Sequence, residues 1–411
     1  MRCSDAPKRD AQRDTGCRAR VAHPNRKSAL SYGAGLWSRG LAPPYPPRFT
    51  PHPNAARRSP LDATPGFDGG ALLPSAYAPY QDPRDYILSW TDAIWIDRGL
   101  GRLTEHYDKR VLVHTAYGET YDWDYVVNNS LQKFAAFPNG GGHGEDVIWE
   151  ARGANGFISS HRVFKSGTHT GFWTYGPPTG RDWVSRTVAH CLVQDNKVLE
   201  EWLVRDEWAV LEHLGLDPYK VAADLADASP VLGQAMQAGG DSGAFAGRIA
   251  DPAVLGVSGA RPAAHAAECA MVRAMFEEVW NGRLFNRVPA YFSRQIVCHS
   301  VRMKRVQGID PYQIELINLL ATFPDFRVEM RDIAVLDGPE LGLRVAVIWL
   351  LRGTYSGVPT YGPITRTPVN VLGASHFELR DGKVLREWRI FDEVAILAQI
   401  HAGRVASQGK V

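Results

Sequence analysis

The sequence predicts an α+β fold written twice in tandem. Three observations carry this expectation: short motifs recur at a fixed displacement, helical periodicity is confined to the start of each copy, and only strand patterns follow it. TYGPPTGR from Thr174 recurs as TYGPITRT from Thr360, and GTHTG from Gly167 as GTYSG from Gly353, both displaced by 186 residues. The same displacement carries Phe137-Pro138 onto Phe323-Pro324 and EEWLVRDEW from Glu200 onto REWRIFDEV from Arg386. Upstream, HYDKRVLVH ending at His114 lies over YFSRQIVCH ending at His299 with a displacement of 185, which implies a one-residue indel in the following loop.

Each copy opens with a helix, marked by Ile87, Trp90 and Ile94 in the first and by Val272, Met275, Phe276 and Val279 in the second, all at helical spacing. A short strand ending in a histidine follows. The next helix is expected to start at Asp310-Pro311 in the second copy, an N-cap acceptor followed by proline, with Ile314, Ile317 and Leu320 as its apolar stripe. Val127, Leu131 and Phe134 give the equivalent stripe in the first copy. Both helices should stop at the Phe-Pro pair, where proline disfavours further helix. The last two strands are joined by Asp195-Asn196 or Asp381-Gly382, which suit a two-residue hairpin turn. Uninterrupted pairing from Arg380 and Lys383 would set Trp388, Ile390 and Asp392 on the face of Ser375, Gly373 and Val371, and in the first copy Trp202, Val204 and Asp206 on the face of Ala189, Thr187 and Ser185. His190 and His376 would fall on the opposite face with Glu201 and Glu387, in a structural contact between domains.

The expected organisation is a disordered extension over 1–80, a first domain over 81–218, a linker over 219–264, a second domain over 265–402 and a tail over 403–411. The extension is rich in Arg, Pro, Ala and Gly and lacks periodicity, which reads as disorder, with a stretch upstream of the natural start as the alternative. A short helix around Ala222 to Leu225 interrupts the linker. With 46 basic against 44 acidic residues, the chain makes no electrostatic case for nucleic acid or an anionic membrane. Its longest apolar run, Val345 to Leu351, reads as a buried strand and not a membrane span. Five scattered cysteines (Cys3, Cys17, Cys191, Cys269, Cys298) without a CxxC pair argue against a disulfide framework or a zinc site and favour a reducing cytoplasm.

AFPN at Ala136, GTHTG at Gly167, GPPTGR at Gly176 and DNKVLEEWLVRDEWAVLEHLG from Asp195 resemble the AFPD, GTHxG, PPTG and DGKIxExWxxxDxxGLLxQLG series of the SnoaL-like polyketide cyclases, also called ester cyclases. The resemblance covers about 135 residues of each copy. It implies cone-shaped, cystatin-like α+β barrels of the nuclear-transport-factor-2-like superfamily, with a curved antiparallel sheet wrapped on the N-terminal helices. It also implies a cofactor-independent lyase or isomerase that performs an aldol-type cyclisation of a small apolar or aromatic carbonyl compound. By the same resemblance Asp206 and Asp392 would be general acid/bases, and the strand-end His114 and His299 their hydrogen-bonding partners. A carboxylate in an apolar pocket is suited to this, because desolvation raises its pKa towards neutrality.

Trp202, Phe164, Phe172 and Trp173 would line a flat cavity, with Trp388 as the second copy's counterpart of Trp202. His169 and its counterpart Tyr355 stand in the GTHTG loop as substrate contacts, and Arg162 resembles the family's strand arginine, with Ile348 in its place in the second copy. His143 reads as a loop residue without ligand-spaced partners, and Lys165 as a solvated strand-edge lysine, although a Schiff base is open to it. No metal or cofactor is expected. Two copies on one chain could pair through their sheets as an internal pseudo-dimer, and a homodimer could form on top of it. The copies depart from the family pattern differently: AFPN replaces AFPD in the first, and GPITR replaces the PPTG loop in the second. The fuller loops make the first the expected working copy. The competing reading is a non-catalytic small-molecule binder. A hydrolase would need an Asp-Arg-Asp relay, which these residues do not supply.

Overall fold

A computed structural model of the chain describes residues 73–152, 155–228, 265–338 and 341–408. The expectations for residues 1–72 and for most of the linker, 229–264, lie outside these. Among the described residues no helix is long and apolar enough to cross a membrane.

The chain builds the same six-stranded sheet twice. In the first copy the strands are β1 (Tyr107–Thr115), β2 (Gly118–Tyr121), β3 (Gly141–Ala151), β4 (Gly156–Thr168), β5 (Asp182–Gln194) and β6 (Lys197–Arg205), ordered β2-β1-β6-β5-β4-β3. In the second they are β7 (Phe292–His299), β8 (Arg305–Gln307), β9 (Arg327–Gly338), β10 (Gly342–Thr354), β11 (Pro368–Arg380) and β12 (Lys383–Phe391), in the equivalent order. The architecture is α+β as expected, but the sheets are mixed. β1 pairs parallel to β6 and β7 parallel to β12, because most of each domain lies between the two partners and supplies the long crossover that parallel pairing needs.

The opening helices run over Pro83–Thr91 and Ala266–Met275, each continuing into a wider π turn, and the second helices over Trp123–Ala136 and Ile309–Thr322. Both second helices end at the Phe-Pro pair, with Phe137 and Phe323 as C-caps. The later helix starts earlier than the sequence suggested. Gly308, at φ 93°, is its N-cap, and Asp310 and Pro311 occupy its first turn, where a missing N–H costs little. Its buried stripe is Tyr312, Leu316 and Leu320, whereas Ile314 is 60% exposed, so the apolar face is rotated from the expected one. Leu131 is likewise exposed in the first copy.

The expected boundaries also move. Tyr77, inside the supposed extension, is fully buried against Tyr86 and Phe157, and its hydroxyl donates to the Asn155 carbonyl at 2.6 Å. A helix at Pro218–Ala228 opens the supposed linker, and the helix Glu393–Gln408 runs through most of the supposed tail. His401 reaches Asp227 between them at 3.1 Å.

Both hairpin turns form with positive φ at Asp195, Asn196, Asp381 and Gly382. Two pairs beyond each turn the register slips. Val193 pairs with Val198 but Leu192 with Glu200, leaving Leu199 as an extra residue; Leu379 pairs with Val384 but Glu378 with Arg386, leaving Leu385. This β-bulge exchanges the two faces of the rest of each strand. Trp202 therefore pairs with His190 and Trp388 with His376, not with Ala189 and Ser375 as uninterrupted pairing implied.

The face bearing these tryptophans is where the two sheets meet. Val188, Trp202 and Val204 form one apolar cluster with Ile348, Leu372, Ala374 and Ile390 of the other copy. His376 contacts Ser160 Oγ at 2.8 Å and the Arg162 guanidinium at 3.0 Å, and His190 contacts Asp332 at 2.9 Å. Arg344 and Asp146 pair across the same face.

Candidate active site

On its other face the first sheet wraps around the helices Pro83–Thr91 and Trp123–Ala136 and encloses a cavity of ≈ 160 Å³. Strand alternation sends Ser159, His161, Val163 and Lys165 of β4 into it, together with Ser185, Thr187, Ala189 and Cys191 of β5. The bulge sends Glu201, Leu203 and Arg205 of β6 there as well. Trp90, Trp95, Phe134, Phe137, Trp173 and Trp183 supply aromatic walls.

Lys133, Lys165, Arg205, Glu201, Glu207 and His161 share this largely apolar pocket. Burial lowers Lys165 to about 7, with Lys133 and Arg205 adding to the effect, and lowers Lys133 to about 8. Burial raises the Glu201 carboxyl even though the Tyr107 hydroxyl donates to it at 3.1 Å. Burial acts the same way on Glu207, but Lys133 and Arg205 outweigh it and hold that carboxyl below its usual value. Lys133 Nζ stands 3.6 Å from Glu207, and the Tyr175 hydroxyl donates to Glu207 at 3.3 Å. His161, lowered to about 3 by burial and by Lys165 and Arg162, is neutral at ordinary pH. Among the described residues Ser159 Oγ, His161 Nε2, Arg205 Nε and Trp183 Nε1 are buried without a hydrogen-bond partner. Buried polar atoms normally find one, so these groups are free to meet a ligand.

Of the residues expected at the site, only Trp173 lines this cavity. Trp202 and Trp388 lie on the face between the sheets because of the bulge; His114 stacks on Trp202 at 5.0 Å and His299 on Trp388 at 5.2 Å. His114 Nε2 meets Glu200 at 2.6 Å and Nδ1 meets Glu119 at 3.2 Å; burial would depress its pKa, but the two carboxylates together raise it. His299, which among the described residues has no carboxylate hydrogen-bonded to it, is lowered to about 4, chiefly by burial and further by Arg186, Arg162 and Arg305, against a weaker opposing effect of Glu145.

Asp206 caps the helix Glu207–Leu214. One of its oxygens accepts from Ala209 N at 3.2 Å and the other from Met303 N of the second domain at 3.2 Å. Burial raises it to about 6. Asp392 likewise caps the final helix, accepting from Val394 N at 2.9 Å and Ala395 N at 3.2 Å, and burial beside Glu207 and Asp206 pushes it well up. Both aspartates are thus desolvated, as a proton carrier requires, but neither lines the cavity.

Arg162 is a contact between the copies, its guanidinium 3.8 Å over the Trp388 ring and its Nε donating to Glu145 at 2.9 Å. Phe164 is on the same outward face, beside His143 and Arg186. Phe172 is 76% exposed. His169 is buried behind Phe137 and holds its loop through Thr179 N at 3.3 Å, and Tyr355 does the equivalent by donating to the Gly362 carbonyl at 2.5 Å.

Among the described residues the equivalent interior of the second copy is filled. At the positions of Ser159, His161, Val163, Lys165 and Arg205 stand Val345, Val347, Trp349, Leu351 and Phe391, all buried. Trp349 fills the space, 5.4 Å from Trp280 and 6.1 Å from Phe391. Thr187 is replaced by Gly373, where a Cβ would stand 2.1 Å from the Trp349 ring. Glu201 is kept as Glu387, but here Arg389 replaces Leu203 and stands 3.8 Å from it, while Ser375 Oγ donates to it at 3.1 Å. Among the described residues no group of His, Cys, Asp and Glu is arranged to hold a metal ion.

Two curved sheets on N-terminal helices, one enclosing a cavity with buried acid/base groups, define a tandem of cone-shaped α+β domains. Residues 270–400 match the family model of the SnoaL-like polyketide cyclases, and they form a domain of that family. The first domain, with the same strand order, is its counterpart in the chain. A search of the curated proteins returned no match. Among solved structures, the chain is similar to a protein described as a SnoaL-like polyketide cyclase from Jannaschia sp. CCS1, at 22% identity over 35% of this chain and 99% of that one, with a TM-score of 0.31. It is also similar to a SnoaL-like polyketide cyclase from Agrobacterium tumefaciens, at 21% identity over 32% and 94% with a TM-score of 0.27. An LEH-like epoxide hydrolase from M. tuberculosis matches at 20% identity over 34% and 95%, also with a TM-score of 0.27.

Proposed function

We propose that the first domain is a cofactor-independent acid/base catalyst acting on a small, apolar or aromatic carbonyl compound, by proton transfer of the aldol or isomerisation type. The observation that carries this reading is the contrast between the copies: one cavity is lined by Glu201, Lys165, Lys133, Arg205 and His161, while the equivalent interior is filled by Trp349, Leu351 and Phe391. Glu201, desolvated and raised, is the proton acceptor and donor. The cations of Lys133 and Arg205 stabilise the negative charge that develops on the carbonyl oxygen, an effect strengthened where water is excluded. Aromatic walls select a flat substrate. The second domain serves as a packing partner, and the face between the sheets stands in for the interface of a dimer.

The test is exchange of the α-hydrogens of phenylacetone in deuterated water, followed by proton NMR above the protein-free rate. Glu201→Gln should lower the protein-catalysed rate by about a hundredfold or more, the usual contribution of a positioned acid or base. Exchange by the variant at the wild-type rate would remove Glu201 from the chemistry. If the wild type gave no exchange while phenylacetone still bound, the domain would be a binder.

A further inference from the structure

Lys165 is surrounded unlike a surface lysine. It projects from the C-terminal part of β4 into a largely apolar pocket, on the same face as Val163, and shares that space with Lys133 and Arg205. Among the described residues no ion pair or hydrogen bond holds its amine, whereas Lys133 approaches Glu207 at 3.6 Å. The same strand position in the second copy is Leu351, fully buried, so the fold does not need a lysine there. A half-buried, unpaired lysine among apolar walls and beside a second cation is the arrangement that makes an amine nucleophilic.

We propose that Lys165 is a covalent nucleophile that forms an imine with the carbonyl group of an aldehyde or ketone held in the first domain's cavity. The inference deepens the acid/base reading and rests on it for the identity of the site. The neutral Nζ lone pair forms the C–N bond while the carbonyl π electrons pass to oxygen. The ammonium nitrogen of the adduct loses a proton and the oxygen gains one, giving a carbinolamine. A second proton on that oxygen releases water, leaving a protonated imine on Lys165. The cationic imine draws electrons from the adjacent C–H bond, so that Glu201 removes the α-proton from a far more acidic carbon than in the free ketone. Addition of water reverses the sequence and frees the lysine. Depression of the amine to about 7 leaves about half of it neutral at neutral pH, where an ordinary lysine is almost wholly protonated.

Benzaldehyde tests this step separately from proton transfer, because it has no α-hydrogen. The full chain is incubated with benzaldehyde at pH 7, trapped with sodium cyanoborohydride, and read by intact mass and peptide mapping. The expected result is one benzyl group per chain on Lys165 before other lysines are labelled, blocked by prior addition of phenylacetone and absent from Lys165→Met. Lys165→Arg, which keeps the charge, controls for misfolding and should also be unlabelled while retaining the wild-type melting transition. Labelling spread over surface lysines, or equal labelling of wild type and Lys165→Met, would overturn the proposal. A loss of phenylacetone exchange in Glu201→Gln alongside such a result would leave the acid/base reading standing without the imine. A peptide map with Lys133 as the labelled residue would also overturn the assignment to Lys165.

Discussion

Transplanting the second domain's filler into the first tests the division between open and filled copies. Val163 pairs across the strands with Thr187, and Trp349 with Gly373. In the second domain a Cβ at position 373 would lie 2.1 Å and 2.3 Å from two ring carbons of Trp349, so tryptophan on β10 requires glycine on β11. Val163→Trp alone should therefore collide with Thr187 and destabilise the domain by about 1–3 kcal/mol, the usual cost of overpacking. Thr187→Gly alone should cost about 1 kcal/mol from the flexibility of glycine in a strand. Together they should cost no more than Val163→Trp by itself, which requires a favourable coupling of at least about 1 kcal/mol, as for residues in direct contact. Urea unfolding followed by tryptophan fluorescence and far-UV circular dichroism measures the cycle. The double variant should be folded, exclude phenylacetone and fail to trap benzaldehyde. Additive energies would refute the Trp-Gly pairing, and a folded double variant with full exchange and trapping would refute the cavity as the site.

Other outcomes follow from the charged groups. The initial rate of benzaldehyde trapping should rise about tenfold per pH unit below pH 7 and level off above it, following the neutral amine of Lys165. Asp206 is raised to about 6 from 3.8, so the folded chain holds an extra proton between those values and stability falls as pH climbs through that window. Asp206→Asn keeps an acceptor for the Ala209 N–H and should flatten this slope in urea titrations at pH 4 to 6.5, with phenylacetone exchange unchanged; a collapse of exchange in a folded variant would return Asp206 to the chemistry. Asp332 shows the opposite sign. Burial opposes its charge, but His190 and Arg152 hold it down at about 2, so its contribution is present above about 4 and lost as pH falls towards 2. Asp332→Asn should cost about 2 kcal/mol at pH 7 and nothing near pH 2, checked by urea midpoints at the two pH values.

The duplication, the α+β order and the hairpin turns were legible because each rests on local signals: repeated motifs, helical spacing, and Asp-Asn or Asp-Gly dipeptides with their positive φ. The face of the final strand was not. A bulge leaves no mark of its own at Leu199 or Leu385, yet one extra residue moved Trp202 out of the cavity and Glu201 into it. Uncorrected parity set Trp202 and Asp206 on the face opposite His190, whereas the bulge puts Trp202 beside His190 in the contact between the copies. Lys165 and His161 were passed over because lysine in a strand is usually solvated and neither belongs to a recurring motif. A signal for them did exist in the aligned copies. Ser159, His161 and Lys165 align with Val345, Val347 and Leu351, three polar-for-apolar exchanges at positions of one parity, which marks one face of a strand. Differences between the copies, more than their shared residues, pointed to the cavity.

The Trp349-Gly373 pair has a consequence for symmetry. In a homodimer one gene writes both subunits, so a tryptophan that fills one chamber fills its mate as well. Joining the halves in a single polypeptide lifts that constraint. One lobe can give up its chamber for a denser interior, and the other can keep buried charges that burden its stability, while the self-complementary face between them stays intact.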